Sequence, residues 1–300
     1  MNIILFIISA FICGSIWFPI KFQFGTVSLL WSLVYRFGIA AIILLGYCVI
    51  KQYPLSYDKK QHFWILIQSL LLFFISFILF YFASAYFASG IVATLYASVT
   101  IMNIINGRIF LKTPIEIKSI VGSIAGIAGL CSVIFTEFVR LEDKSYWIII
   151  NGLLLTFGAT LSVSWGQIVF VANLKRGLPV IQTNAYGFVY TTILFIITAL
   201  IFGEMPSFDT SLSYILSLGY LSLIGTAFGF IIYFILAERI GLDKSAYVFV
   251  LAPVIAMIIS SFFEKLTWTL STVIGVLLVL IGNIIVMTKK KLNFKKEKGT

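Results

Sequence analysis

The chain has 300 residues, 61% of them apolar and 11% charged, with a formal net charge of +10 at pH 7. Soluble domains carry roughly 25% charged residues; the apolar surplus here (mean hydropathy +1.09) has to face lipid, which excludes a soluble globular fold. The basic excess does not point to nucleic acid, because six lysines are gathered in residues 289–298 behind the last apolar run, as in a tail lying against a cytoplasmic membrane face.

Ten apolar runs follow one another, at about 3–22, 29–50, 63–83, 90–110, 119–136, 146–170, 180–202, 212–236, 245–263 and 268–288. Each approaches the ~20 residues a helix needs to cross a bilayer. Backbone polar groups in lipid must be satisfied within the segment, so the runs are read as helices of an all-α integral membrane protein; barrel strands would be shorter and alternating. The first run begins at Ile3 without a basic n-region, and no small-x-small cleavage site follows it, which reads as a retained span. With a cytoplasmic N-terminus, the cytoplasmic loops hold ten cations (Lys51, Lys59, Lys60, Arg108, Lys112, Lys118, Lys175, Arg176, Arg239 and Lys244), and the outer loops hold Arg140, Lys144 and Lys265. That asymmetry predicts ten spans in a cell's inner membrane with both termini cytoplasmic. Trp31, Trp64, Trp147 and Trp268 fall near span ends, where interfacial residues belong.

The runs are written twice. Cys13-Gly14-Ser15-Ile16-Trp17 is echoed by Trp165-Gly166-Gln167, Gly25 by Gly177, and Tyr81-Phe82-x-x-Ala85 by Tyr233-Phe234-x-x-Ala237, all at an offset of about 152 residues. Gly122 and Gly129 correspond to Gly275 and Gly282. Five spans per copy is an odd number, so the second copy is inverted. The predicted organisation is a first repeat at 1–145, a second, inverted repeat at 146–288 and a basic cytoplasmic tail at 289–300. Two related halves can rock about a site between them, which suggests a transporter working by alternating access. Small residues mark close helix contacts: Gly122-x-x-x-Gly126, the row Gly158, Ser162, Gly166, and Gly225-x-x-x-Gly229. Packing within one chain accounts for them; a homodimer contact through spans five and ten is the alternative.

Enzyme signals are absent. The single histidine, His62, lies at a span boundary, and there is no acid/base cluster, Cys-x-x-Cys or phosphate-binding loop. Cys13, Cys48 and Cys131 sit in separate apolar runs without metal-ligand spacing. No catalysis, cofactor or metal is expected.

Lys21 near the outer end of span one and Arg36 in span two are the strongest functional candidates, because ionisable groups at membrane depth usually face the bundle interior or a wet cavity. Lys21 snorkelling to the interface and Arg36 capping helix carbonyls are the structural alternatives. No carboxylate lies at comparable depth, so the path should carry unbalanced positive charge and favour a carboxylate or phosphate on its solute. Trp17, Tyr81, Tyr96, Trp165 and Tyr233, with Asn103 and Gln167, could line a pocket for an amphipathic metabolite. Pro19 and Pro253 interrupt spans one and nine and free backbone carbonyls.

Gly14, Ser15 and Lys21 of span one, Arg36 of span two, and Ala252-Pro253-Val254 followed by Glu264, Gly275 and Gly282 resemble the EamA branch of the drug/metabolite transporter superfamily over about residues 5–288. The first copy departs from that pattern, with Cys13 in place of Trp, Thr100 in place of Pro and Leu111 in place of an acid. The resemblance implies ten helices in two inverted repeats, a central cavity lined by spans one, three, four, six, eight and nine, and often efflux of amino acids or related metabolites. The expected function is movement of a small metabolite across the membrane, an amino acid or related zwitterion or anion first, by export or exchange. Uptake or exchange of a nucleotide-like or cofactor metabolite is second, and a non-transporting membrane scaffold or accessory subunit is the alternative class.

Overall fold

A computed structural model describes residues 2–112, 115, 117–139, 146–240, 245, 248–265 and 268–287. The basic tail, the outer-loop cations Arg140 and Lys144, and Lys244 lie outside the described residues. The described residues form ten helical segments and no strand: α1 (Asn2–Ser15), α2 (Leu29–Ile50), α3 (Lys59–Tyr86), α4 (Ser89–Leu111), α5 (Ile117–Val139), α6 (Tyr146–Lys175), α7 (Val180–Ile201), α8 (Leu212–Ile240), α9 (Val248–Phe263) and α10 (Leu270–Met287). Seven of them, α2 to α8, are long and apolar enough to cross a membrane, whereas α1, α9 and α10 are shorter apolar helices. Large apolar side chains such as Ile42, Ile117, Leu154, Ile201 and Phe262 stand exposed on the outside of the bundle, as they do where the solvent is lipid.

Local chemistry sets several helix ends. Ser28 accepts from the Trp31 N–H at the start of α2, and Asp58 forms a capping box with Gln61 at the start of α3. Such caps satisfy N–H groups that have no intrahelical partner. Gly25 and Gly177, matched at the repeat offset, both take a positive φ (151° and 77°), which glycine adopts without the steric penalty of a side chain.

Two proline expectations resolve differently. The first helix ends at Ser15, and Pro19 opens a 3-10 turn, Pro19–Gln23. Pro253 lies inside α9 without ending it, which corrects the expected interruption. The matching region of the first copy has no proline, yet α4 breaks into Ser89–Tyr96 and Val99–Leu111 at Ala97–Ser98. Tight bonds there, from Ala97 N to Thr94 O and from Ser98 N to Leu95 O, mark the change of pitch.

The packing is repetitive. α2 runs along α7, and α5 along α10; α1 packs on α8 and α9 as α6 packs on α3 and α4. These neighbour relations are unchanged when each helix is exchanged for the one five places later. Both α3 and α8 contain a π segment, Leu70–Ile75 and Tyr220–Phe228, again about one repeat apart.

The small-residue rows serve these contacts. A β-carbon on Gly166 would lie 2.7 Å from Leu72 Cβ in the α3 π segment, and Ser162 donates to Leu71 O at 2.6 Å. In α8, Gly225 and Gly229 face Ile16 and Ile12 of α1. The glycines of α5 and α10 meet each other within one chain. A β-carbon on Gly282 would lie 2.5 Å from Gly122 O, and one on Gly129 2.5 Å from Gly275 O. Ser162→Ala removes the donor to Leu71 O while keeping the face small, and lowers stability by about 1 kcal/mol, read as a small fall in the melting temperature of detergent-purified protein.

Candidate functional site

A cavity of about 90 Å³ lies between α1, α2, α3, α4, α6, α8 and α9. One buried water needs roughly 10–15 Å³, so there is room for several waters or one small solute. Six of the residues singled out from the sequence line it: Trp17, Arg36, Tyr81, Tyr96, Gln167 and Tyr233.

Its apolar wall is a set of interlocked rings. Trp17, held in the turn after α1, meets Phe80 edge-on with centroids 5.1 Å apart, and Phe80 meets Tyr96 edge-on at 5.3 Å. Tyr96, at the α4 break, meets Phe249 at 5.6 Å, and Phe249 meets Tyr233 at 5.0 Å. Edge-to-face pairs of this kind fix one another's orientation.

Arg36 supplies the charge. Its side chain is fully buried. Nε donates to Thr226 Oγ1 at 2.8 Å, in the π segment of α8, and Nη1 donates to Tyr81 OH at 3.1 Å. The guanidinium carbon lies 4.8 Å from the Phe77 ring centroid. Nη2 has no hydrogen-bond partner, and no carboxylate among the described residues forms an ion pair with Arg36. Gly225 packs beside Nη2, and a β-carbon there would stand in ordinary contact with it at 3.5 Å.

Gln167 adds a neutral donor. Its oxygen accepts from Asn103 Nδ2 at 2.7 Å, which leaves its amide N–H groups for the cavity. Asn103 therefore orients the Gln167 amide and is not itself in the wall. Trp165 does not line the cavity either: it is 39% exposed, with its indole N–H on Asn106 Oδ1 at 3.2 Å. The helix turns α6 so that Val163 and Gln167, not Trp165, face inward. Pro253 is buried but lies outside the wall. Trp31 falls in the first turn of α2, at the span end expected, but it faces the bundle: it is only 8% exposed and donates to Glu204 O at 3.1 Å.

Lys21 is also outside the wall. Its Nζ donates to Ser84 O and, at 2.7 Å, to Phe87 O, and lies 3.9 Å from Glu264 Oε1. Glu264 accepts from Ser89 N at 3.0 Å, from Ser89 Oγ, and from Ser260 Oγ at 2.5 Å. α4 begins after Ala88, which has no side chain able to cap it. The carboxylate at the end of α9 caps α4 in its place, with the helix dipole favouring its charge. One cluster thus ties the Pro19–Gln23 turn, α3, α4 and α9 together at the Lys21 end. The expectation that Lys21 carries unbalanced charge is corrected, because Glu264 is its partner. At the repeat offset Lys21 corresponds to Asn173, which donates to Trp64 O at 3.3 Å and Gln68 Oε1 at 2.9 Å near the other end of α3. Asn173 Oδ1 also accepts from Arg176 Nη1 at 3.1 Å, so that end holds a cation on an amide where the Lys21 end holds one beside a carboxylate.

The sequence missed Phe77, Phe80, Phe230 and Phe249 in the wall. Phe77 and Phe230 stand one helical turn from Tyr81 and Tyr233, so spacing from the chosen tyrosines would have found them. Thr226 carried no such signal.

A multi-pass helical bundle with an internal cavity holding a buried, incompletely bonded cation is the architecture of a membrane transporter. The chain belongs to the EamA-like transporter family, whose model matches residues 1–135 and 150–288. It is 23% identical to the Protein PagO of Salmonella typhimurium over 297 residues, covering 96% of this chain and 95% of that one. It is 22% identical to the uncharacterized transporter YoaV of Bacillus subtilis, covering 82% and 83%. An uncharacterized transporter of Buchnera aphidicola is 25% identical, covering 93% and 94%. A protein crystal structure superimposes with a TM-score of 0.68 at 12% identity, covering 95% of this chain and 96% of that one, which shows a shared fold.

Proposed function

We propose that this transporter is an inner-membrane permease that moves a small, negatively charged amphipathic metabolite by alternating access, as an exporter or exchanger. In this reading all ten helices sit in the bilayer as two inverted repeats, with both termini cytoplasmic. The repeated neighbour relations and the paired π segments support two equivalent halves. The observation that carries the solute's charge is Arg36, buried in the cavity with Nη2 unbonded, since a buried cation without a partner is costly until an anion supplies one. The Lys21–Glu264–Ser89 cluster is the closed outer end of the path, and opening it gives the other access state.

Purified protein in liposomes preloaded with unlabelled solute tests this by counterflow across a panel of organic anions, amino acids and nucleotides. Anion counterflow is expected, and Arg36→Gln lowers it by about tenfold or more. A folded protein in sealed vesicles that exchanges no member of the panel identifies a scaffold and overturns the permease reading.

A further inference from the structure

We propose that the cavity selects a monocarboxylate with a ring-sized apolar body, and rejects both α-amino acids and phosphates. This rests on the permease reading for its physiological meaning, but on the cavity wall alone for its chemistry.

Beside the Tyr96 and Tyr233 hydroxyls, which can both donate and accept, three wall groups have donors to offer. Arg36 offers an unbonded Nη2, and Gln167 keeps its amide N–H groups after its oxygen is engaged by Asn103. The Tyr81 hydroxyl accepts from Arg36 Nη1, which leaves its own proton free to donate. A carboxylate offers acceptors only, which matches the chemistry of each of these donors. Among the described residues no carboxylate lines the cavity.

An α-amino acid brings an ammonium group next to its carboxylate. With the carboxylate on Arg36, that ammonium stands close to a like charge and meets no acid. An aromatic cage is not available to it, because Trp17, Phe80, Tyr96 and Phe249 are packed edge against face on one another and Phe77 already lies under the guanidinium. Buried like charges and unpaired ammonium groups are strongly disfavoured.

A phosphate fails for the opposite reason. Near neutral pH a phosphate monoester carries close to two charges, and the wall holds one cation. Lys21 cannot serve as the second, because it is committed to Ser84 O, Phe87 O and Glu264. The remaining wall is apolar and aromatic, which suits a ring more than a polar chain.

Four solutes sharing one ring separate these possibilities: phenylacetate, L-phenylalanine, phenyl phosphate and phenethylamine. Binding to full-length detergent-purified protein is measured by isothermal titration and thermal shift at about pH 7, where phenylacetate is ionised. Phenylacetate is expected to bind at least about tenfold more tightly than the other three, and to lose about tenfold or more in Arg36→Gln. Tyr81→Phe, which keeps the ring and the charge, is expected to weaken it severalfold, and stands as the test if Arg36→Gln does not fold. Equal or tighter binding of phenylalanine or phenyl phosphate overturns the proposal. So does phenylacetate binding unchanged in a folded Arg36→Gln or Tyr81→Phe protein. If none of the four binds while another solute is exchanged in vesicles, the proposal fails and the permease reading stands. Phenylacetate binding without flux supports the proposal and overturns the permease reading.

Discussion

In a Glu264→Ala protein, the cavity becomes reachable from the Lys21 end by a membrane-impermeant thiol reagent, and counterflow falls about tenfold or more. Glu264 caps α4, accepts from Ser260 and faces Lys21. Its removal leaves the Ser89 N–H uncapped and the Lys21 ammonium without its acid. A lost cap costs about 0.5–2 kcal/mol, and breaking a buried pair from one side costs about 3–5 kcal/mol. The Lys21 and Glu264 side chains are 28% and 12% exposed, so a combined effect of about 3 kcal/mol is reasonable. That shifts a two-state access equilibrium by about a hundredfold.

The readout is built in. Cys13 lines the cavity, and replacing Cys48 and Cys131 by Ser leaves it as the single thiol. Faster labelling in Glu264→Ala, restored to the slow rate by bound solute that favours the closed end, is the expected pattern. Unchanged labelling and unchanged flux would show that the cluster is a static brace with no part in gating. Lys21→Gln combined with Glu264→Gln removes both charges together and should label at an intermediate rate, because no lone charge is left behind.

Gly282→Leu is expected to prevent folding, or to lower the melting temperature by about 10 °C. The reason is backbone against backbone. A β-carbon at 282 would meet Gly122 O at 2.5 Å, Gly126 N at 2.6 Å and Gly126 Cα at 3.0 Å. Side-chain overpacking costs about 1–3 kcal/mol because neighbours can move; main-chain atoms of a packed helix cannot move without separating α5 from α10. Gly46→Leu in α2 is the control. Nothing lies within 4 Å of a β-carbon there, so its effect should stay within about 1 kcal/mol. Equal melting of the two variants would remove the close α5–α10 approach as the explanation.

Much of this protein is legible in its sequence, for physical reasons that are local. Lipid leaves a spanning backbone few options, so the apolar runs announced helices, seven of them long and apolar enough to cross a membrane, and the glycine rows announced which faces come close. The repeat offset paired Gly25 with Gly177, and both take a positive φ. Arg36 was identifiable because a cation in an apolar run needs a purpose. Its bonds to Thr226 of α8 and Tyr81 of α3 were not, since they depend on how those two helices pack against α2. The pairing of Lys21 with Glu264 joins residues 243 apart in the chain, and only the meeting of the Pro19–Gln23 turn, α4 and α9 brings them together. The sequence therefore suggested an unbalanced cation where the fold supplies an acid. Trp165 and Gln167 are two residues apart, yet one faces outward and the other the cavity, because a helix advances its side chains by about 100° per residue. The residue types capable of the chemistry were set by the sequence; tertiary packing decided which of them face one another, because helix rotation and crossing are fixed by contacts between distant segments.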